Sequence, residues 1–114
     1  MATASYSILG QAQPVGSNID LFACPAATQA VLSTIVVSNT TSTAATATVY
    51  VRKASGTSPA AAGTNNAIMF AAPISANSLQ TLTIGITLGA YDTITVASGT
   101  SGAITFHAFG TTVA

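Results

Sequence analysis

The chain has 114 residues and a mass of 11.2 kDa, the size of one domain, with 4% charged residues and a formal net charge of zero. Arg52 and Lys53 are its only cations, too few for the several phosphate contacts that bind nucleic acid. A mean hydropathy of +0.60 excludes a disordered tail, and no apolar run reaches the about 20 residues of a membrane-spanning helix.

Strand-like stretches then follow one another along the chain. Tyr6–Leu9 and Ile19–Cys24 come first, parted by the turn residues Pro14–Asn18. Val31–Ser38 is a nearly continuous apolar and β-branched run, which predicts a strand buried on both faces. Ala45–Val51 sets Ala47, Val49 and Val51 against Thr46, Thr48 and Tyr50, the period of two of a half-buried strand. Residues 54–66 form the longest predicted loop, exposed and flexible, before a strand at Ala67–Phe70. Leu79–Leu88 reads as one strand, with Leu82, Ile84, Ile86 and Leu88 on one face and Thr81, Thr83, Gly85 and Thr87 on the other. Gly89-Ala90 then predicts a tight hairpin into Tyr91–Ala97, with Gly able to adopt φ > 0. Ala103–Phe109 closes the series. The alanine-rich stretches sit beside Pro, Ser, Thr and Gly, which interrupt helices.

The predicted fold is all-β: a single antiparallel β-sandwich across residues 1–114, immunoglobulin-like or jelly-roll-like, with seven to eight strands. Its expected core is Ile8, Leu21, Ile35, Val37, Val49, Val51, Leu82, Ile84, Ile86, Ile94, Val96, Ile104 and Phe106. Surface scaling for this mass gives about 5,700 Å² exposed in the folded state, roughly 65% burial.

The inventory for chemistry is sparse. A Cys24–His107 thiolate dyad oriented by Asp20 or Asp92 is conceivable, but no spacing supports it, and Cys24 before Pro25 reads as a small buried hydrophobe. Asp20 and Asp92, 72 positions apart, could serve as a glycosidase pair, but each reads as a carboxylate beside a strand end, and Asp92 suits a turn. One His, one Cys and two Asp scattered along the chain do not make a metal site. Gly99-Thr100-Ser101-Gly102 lacks the spacing and lysine of a phosphate loop. The expectation is therefore no enzyme, no cofactor, and no catalytic or metal-binding residue. Arg52-Lys53 reads as an electrostatic anchor for a partner or as plain solubility at a strand end. The Asn39-Thr40-Thr41 sequon has little weight without a signal peptide, and the N-terminus carries no such signal. Recurrent pairs Thr41/Thr43, Thr46/Thr48, Thr81/Thr83 and Thr93/Thr95 keep an ice-binding array as one alternative. Tyr6, Tyr50 and Tyr91 are the candidates for a carbohydrate-binding platform.

A neutral surface is a liability for a free protein and suits one packed against neighbours. Several stretches fit that reading: Y-S-I-L-G-Q from Tyr6, D-L-F-A-C-P-A-A-T-Q-A-V-L-S-T-I-V-V-S-N-T-T from Asp20, A-A-T-A-T-V-Y-V-R from Ala44, L-T-I-G-I-T-L-G-A-Y-D-T-I-T-V-A-S from Leu82, and F-H-A-F-G from Phe106. Through these, most of the chain resembles small virion structural proteins of tailed phages, common among phages of cyanobacteria and other aquatic bacteria. Cys24 and His107 depart from that pattern, standing where apolar or amide residues are expected. The resemblance implies an immunoglobulin-like sandwich in a virion assembled in the host cytoplasm. Its expected role is capsid decoration or cement on the major capsid lattice, with a tail, neck or baseplate module as the alternative. The expected partners are the major capsid protein or other virion proteins, with self-association, and neither nucleic acid nor membrane. The uncharged segments Met1–Ser5 and Gly110–Ala114 are the candidates for adding an edge strand to a neighbour.

Overall fold

Alternating apolar and small polar side chains turn most of the sequence into strands, because each strand then has one face to bury and one to hydrate. A computed structural model describes residues 4–113. Its strands are β1 (Ala4–Ala12), β2 (Ile19–Ala23), β3 (Gln29–Asn39), β4 (Ala45–Arg52), β5 (Ala54–Ser55) and β6 (Ser58–Pro59). They continue with β7 (Ala67–Ile74), β8 (Leu79–Leu82), β9 (Ile86–Leu88), β10 (Thr93–Ser98) and β11 (Ile104–Val113). A 3₁₀ turn at Thr64–Asn66 precedes β7. Among the described residues, no helix is long and apolar enough to cross a membrane.

Two sheets contain the long strands, and every pairing is antiparallel. The first runs β1-β11-β3, with β8 and β9 both on the far side of β3; the second runs β2-β10-β4-β7. Eleven strands exceed the seven to eight predicted. The excess has two sources. β5 and β6 are a two-residue hairpin inside the long loop, and the predicted strand Leu79–Leu88 is broken in two. Taken as one interrupted strand, β8 and β9 bring the total of long strands to eight. The chain crosses between sheets at every connection of this set except β4 to β7. That is the double-sheet jelly roll. An immunoglobulin-like sandwich, the other expectation, starts with neighbouring strands of one sheet, whereas β1 and β2 lie in different sheets.

The break in Leu79–Leu88 falls at Thr83–Gly85, where Gly85 adopts φ +65, a left-handed conformation that leaves the strand path. β8 resumes the interior pattern with Leu82 opposite Ile35, and β9 with Ile86 opposite Leu32, while Ile84 between them is 59% exposed. Strict alternation through Ile84 is therefore wrong. The Gly89-Ala90 hairpin is corrected as well: β9 and β10 belong to different sheets, and the left-handed residue of that crossover is Tyr91, at φ +67. Nor is β3 buried on both faces. Ala30, Leu32, Ile35, Val37 and Asn39 face the interior, whereas Val31 and Ser33 are exposed. Opposite β11, Ser33 is the extra residue of a bulge that switches the alternation so that Leu32 and Ile35 both point inward.

One apolar cluster fills the space between the sheets. Phe106, Ile104, Ile35, Val37 and Leu32 enter it from the first sheet, and Ile94, Val96, Val49, Ala47 and Leu21 from the second. Of the remaining expected core residues, Val51, Leu82 and Ile86 are partly buried against the cluster. Ile8 is not a core residue: it is 59% exposed on the outer face of β1. Ala30, Ala45, Ala47, Ala103 and Ala108 let the layers approach closely, which explains how a chain of such small residues closes a core. Within the first sheet, Gly110 of β11 lies against the β3 bulge, where a Cβ would collide with the Val31 carbonyl oxygen. The accessible surface, 5812 Å², agrees with the value expected from mass.

Ile94→Asp buries an unpaired carboxylate in this interior, at a cost of several kcal/mol, and is expected to yield no soluble folded protein. Ile84→Asp is expected to fold with a melting temperature close to that of the parent. Circular dichroism melts of the two variants check the register.

Candidate functional site

The structure separates the residues that could have formed a reactive centre. Cys24 follows β2 and is buried, donating a hydrogen bond from Sγ to the Thr28 carbonyl oxygen at 3.3 Å. Burial, and then the Asp92 carboxylate, push its thiol pKa up, the reverse of what activates a nucleophile. His107 lies in β11 on the outer face of the first sheet, parallel to the Phe109 ring with centroids 6.4 Å apart. The Gln11 amide nitrogen is 3.1 Å from His107 Nδ1, across the β1–β11 register. Cys24 and His107 thus belong to different neighbourhoods.

The two carboxylates are also occupied, each by its own structural task. Asp92 Oδ2 accepts from the Gly89 amide at 2.9 Å and Oδ1 from the Ala54 amide at 2.7 Å. The backbone on either side is tied to Cys24: Cys24 N donates to Asp92 O, and Tyr91 N to Cys24 O. Asp20 sits on β2 at the outer face of the second sheet, opposite Thr95 of β10. The Thr95 hydroxyl donates to Asp20 Oδ1 at 2.9 Å and accepts from Arg52 Nη1 at 3.0 Å, while Arg52 Nη1 and Asp20 Oδ1 stand 3.4 Å apart. Arg52 Nε donates to Ala60 O, which fastens the long loop over the end of β4. Arg52 is therefore an internal clamp instead of an external anchor. Lys53 next to it is exposed. An open depression of about 500 Å³ beside Lys53, lined also by Gln29, Val31, Thr87 and Gly89, includes an Asp92 already engaged by backbone. Among the described residues, no three His, Cys, Asp or Glu side chains cluster as metal ligands would.

The sequon asparagine is a structural residue. Asn39 is 1% exposed; its Nδ2 donates to Thr43 O and Ile74 O, and its Oδ1 accepts from the Thr41 amide and hydroxyl. A buried, fully bonded amide is closed to glycosylation. The threonine array fails similarly. Thr46/Thr48 and Thr93/Thr95 do share the outer face of the second sheet, but Thr48, Thr93 and Thr95 are buried and cannot rank water into a lattice. Tyr6, Tyr50 and Tyr91 stand on β1, on β4 of the other sheet, and in the β9–β10 crossover, so they form no common platform for a sugar.

What the strands do assemble is a surface. The outer face of the first sheet presents Tyr6 and Ile8 of β1, His107 and Phe109 of β11, and Val31, Thr34 and Val36 of β3. Tyr6 is 83% exposed and Val31 44%; Leu79 of β8 extends the same face. Asp20 and Arg52 lie on the second sheet and Lys53 and Asp92 at its loops, with Lys53 at the margin of this face beside Val31, so the rest of the face is without charge. Sequence reasoning misses it because alternation places Ile8 in the core and the apolar run places Val31 in a doubly buried strand. The signal was the adjacency of Tyr6 and Ile8 at period two.

The comparisons with known proteins bear on the fold. No protein-family model matches the chain, and no curated protein matches it. Among solved structures it is similar to a chain in the structure of infectious bursal disease virus Gx strain, with a TM-score of 0.50 and 14% identity over 99% of this chain and 31% of that one. It is also similar to a chain of the Gt strain structure, with a TM-score of 0.44, 14% identity and coverage of 98% and 31%. A third is the infectious bursal disease virus VP2 subviral particle, with a TM-score of 0.45, 14% identity and coverage of 98% and 32%. This chain spans about a third of the length of each. At this identity, the Gx-strain likeness is one of fold.

Asp92→Ala removes two charge-assisted hydrogen bonds at the β9–β10 crossover and is expected to destabilise the protein by about 2 kcal/mol in urea titrations. Cys24 is expected to resist alkylation by iodoacetamide at pH 8 in the native protein and to react fully in denaturant. Mass spectrometry of the alkylated chain reads the difference.

Proposed function

We propose that this chain is a structural component of a virion, acting without catalysis or cofactor. Within the virion, the proposed role is capsid decoration or cement on the major capsid lattice of a tailed phage. The observation that carries the reading is the uncharged, partly apolar outer face of the β1-β11-β3 sheet. Such a face is costly for a free protein and useful where a neighbour covers it. Two further observations support it. Jelly rolls recur in viral capsid domains, and the Gx-strain likeness extends over 99% of this chain. Cys24, His107, Asp20 and Asp92 are each engaged in structural contacts, which fits a role without chemistry.

The partners of this reading are the major capsid protein or other virion proteins. Repetition on a symmetric lattice multiplies weak contacts by avidity, so no deep pocket is required. With four formal charges and only Lys53 at the margin of the outer face, attachment rests on apolar and backbone contacts, which kosmotropic salts do not weaken. Co-sedimentation with purified phage particles is expected to persist into molar sulfate and to be lost in chaotropic salt. Release by moderate sodium chloride contradicts apolar attachment. Electron cryomicroscopy of the same particles distinguishes a capsid location from a tail, neck or baseplate one.

A further inference from the structure

Two open sheets have four edges, and an unpaired edge is a template for another strand. Three of the four are blunted. β2 is five residues long, carries Asp20 and is bulged at Leu21. β7 is bulged twice, contains Pro73, which lacks an amide proton, and turns left-handed at Ala71, φ +48. The β8/β9 edge is broken into pieces of four and three residues.

The fourth edge, β1, has none of these devices along its first half. It is nine residues long, without charge or proline, and runs in unbroken register from Ala4 to Ile8 against β11. Its bulge, at Leu9, comes only after that run. Beyond the bulge the strand leans on the second sheet, where Gly10 passes so close to the Leu21 carbonyl that a Cβ would collide with it. The half that stays open is therefore Ala4–Ile8. Gly110–Ala114, the other terminal candidate, is not an edge: through Val113 it is paired on both sides, by β1 and by β3.

We propose that the Ala4–Ile8 edge of β1 pairs antiparallel with the same edge of a second copy of this chain, joining two first sheets across a two-fold axis. Antiparallel self-pairing is the arrangement a strand can make with itself under two-fold symmetry. The charge pattern selects a second copy over a foreign partner. From Ala4 to Ile19 no residue is acidic or basic, so two copies of this edge meet without like-charge repulsion between side chains, and a charged partner finds nothing to complement. The exposed Tyr6 and Ile8 side chains of both copies then lie on one face, beside Phe109. Five residues span about 17 Å, so the shared area falls below that of standard stable interfaces. The pairing is accordingly weak in solution and is reinforced where copies are held side by side. The inference rests on the edge alone, and the purified protein tests it separately from the virion reading.

Sedimentation equilibrium of the wild-type chain is expected to show a monomer–dimer equilibrium, with dimer appearing between about 0.05 and 1 mM. Ile8→Lys and Tyr6→Lys, both at exposed positions, are expected to keep the parent melting temperature and to remain monomeric. Mixing Tyr6→Lys with Tyr6→Glu, the position that faces itself across the two-fold axis, is expected to restore a dimer containing one of each. Ile84→Lys, at the opposite edge, is expected to dimerise like the parent. A wild-type chain that stays monomeric at 1 mM overturns the proposal. So does a dimer that survives Ile8→Lys, or one that Ile84→Lys abolishes.

Discussion

The structure depends on holding two sheets over one apolar interior while the chain crosses between them at almost every connection. Each crossing exposes backbone groups that the strands no longer satisfy. Two polar side chains answer this at opposite ends of β3. At its C-terminal end the buried Asn39 amide joins the β3–β4 turn to Ile74 at the end of β7, a link from one sheet to the other. Near its N-terminal end Asp92 ties the β9–β10 crossover to the start of β5 through the Gly89 and Ala54 amides. Among the described residues, no buried side-chain nitrogen or oxygen lacks a partner.

Those closures consume nearly all the polar chemistry the chain possesses. Asp92 closes a crossover, and Asp20 and Arg52 share the Thr95 hydroxyl across β2, β10 and β4. Cys24 lies beneath the Asp92 turn with its thiolate disfavoured. The charges are thus gathered on the second sheet and around its loops, and the first sheet carries the uncharged face and the open β1 edge. Both sheets build the core, but only the second gathers the charges. In the proposed assembly role, this division gives the nearly chargeless composition a position as well as a count.

Much of the architecture was legible because period-two alternation reports burial directly. Leu21, Ile35, Val37, Val49, Ile94, Val96, Ile104 and Phe106 are buried where alternation puts them. The errors share a cause. Alternation assumes an unbroken strand, and a single residue outside the ladder reverses every face after it. Ser33 in β3 and Leu9 in β1 are such residues, and nothing in their identity marks a bulge. Gly85 was visible as a glycine, yet one glycine in an alternating run is compatible with a strand interior as well as with a break.

By itself, the sequence determined the strand-forming pattern, the near absence of charge and the lack of a spaced catalytic or metal-binding motif, all local or summed properties. The tertiary structure alone decided which sheet each strand joins, and so jelly roll over immunoglobulin-like sandwich. Sheet membership depends on pairings between distant segments, such as β1 with β11 and β2 with β10, and hydrophobic period carries no record of partners. It also decided that Asn39 is buried and Ile84 exposed, because burial belongs to the layer that covers a residue and not to the residue.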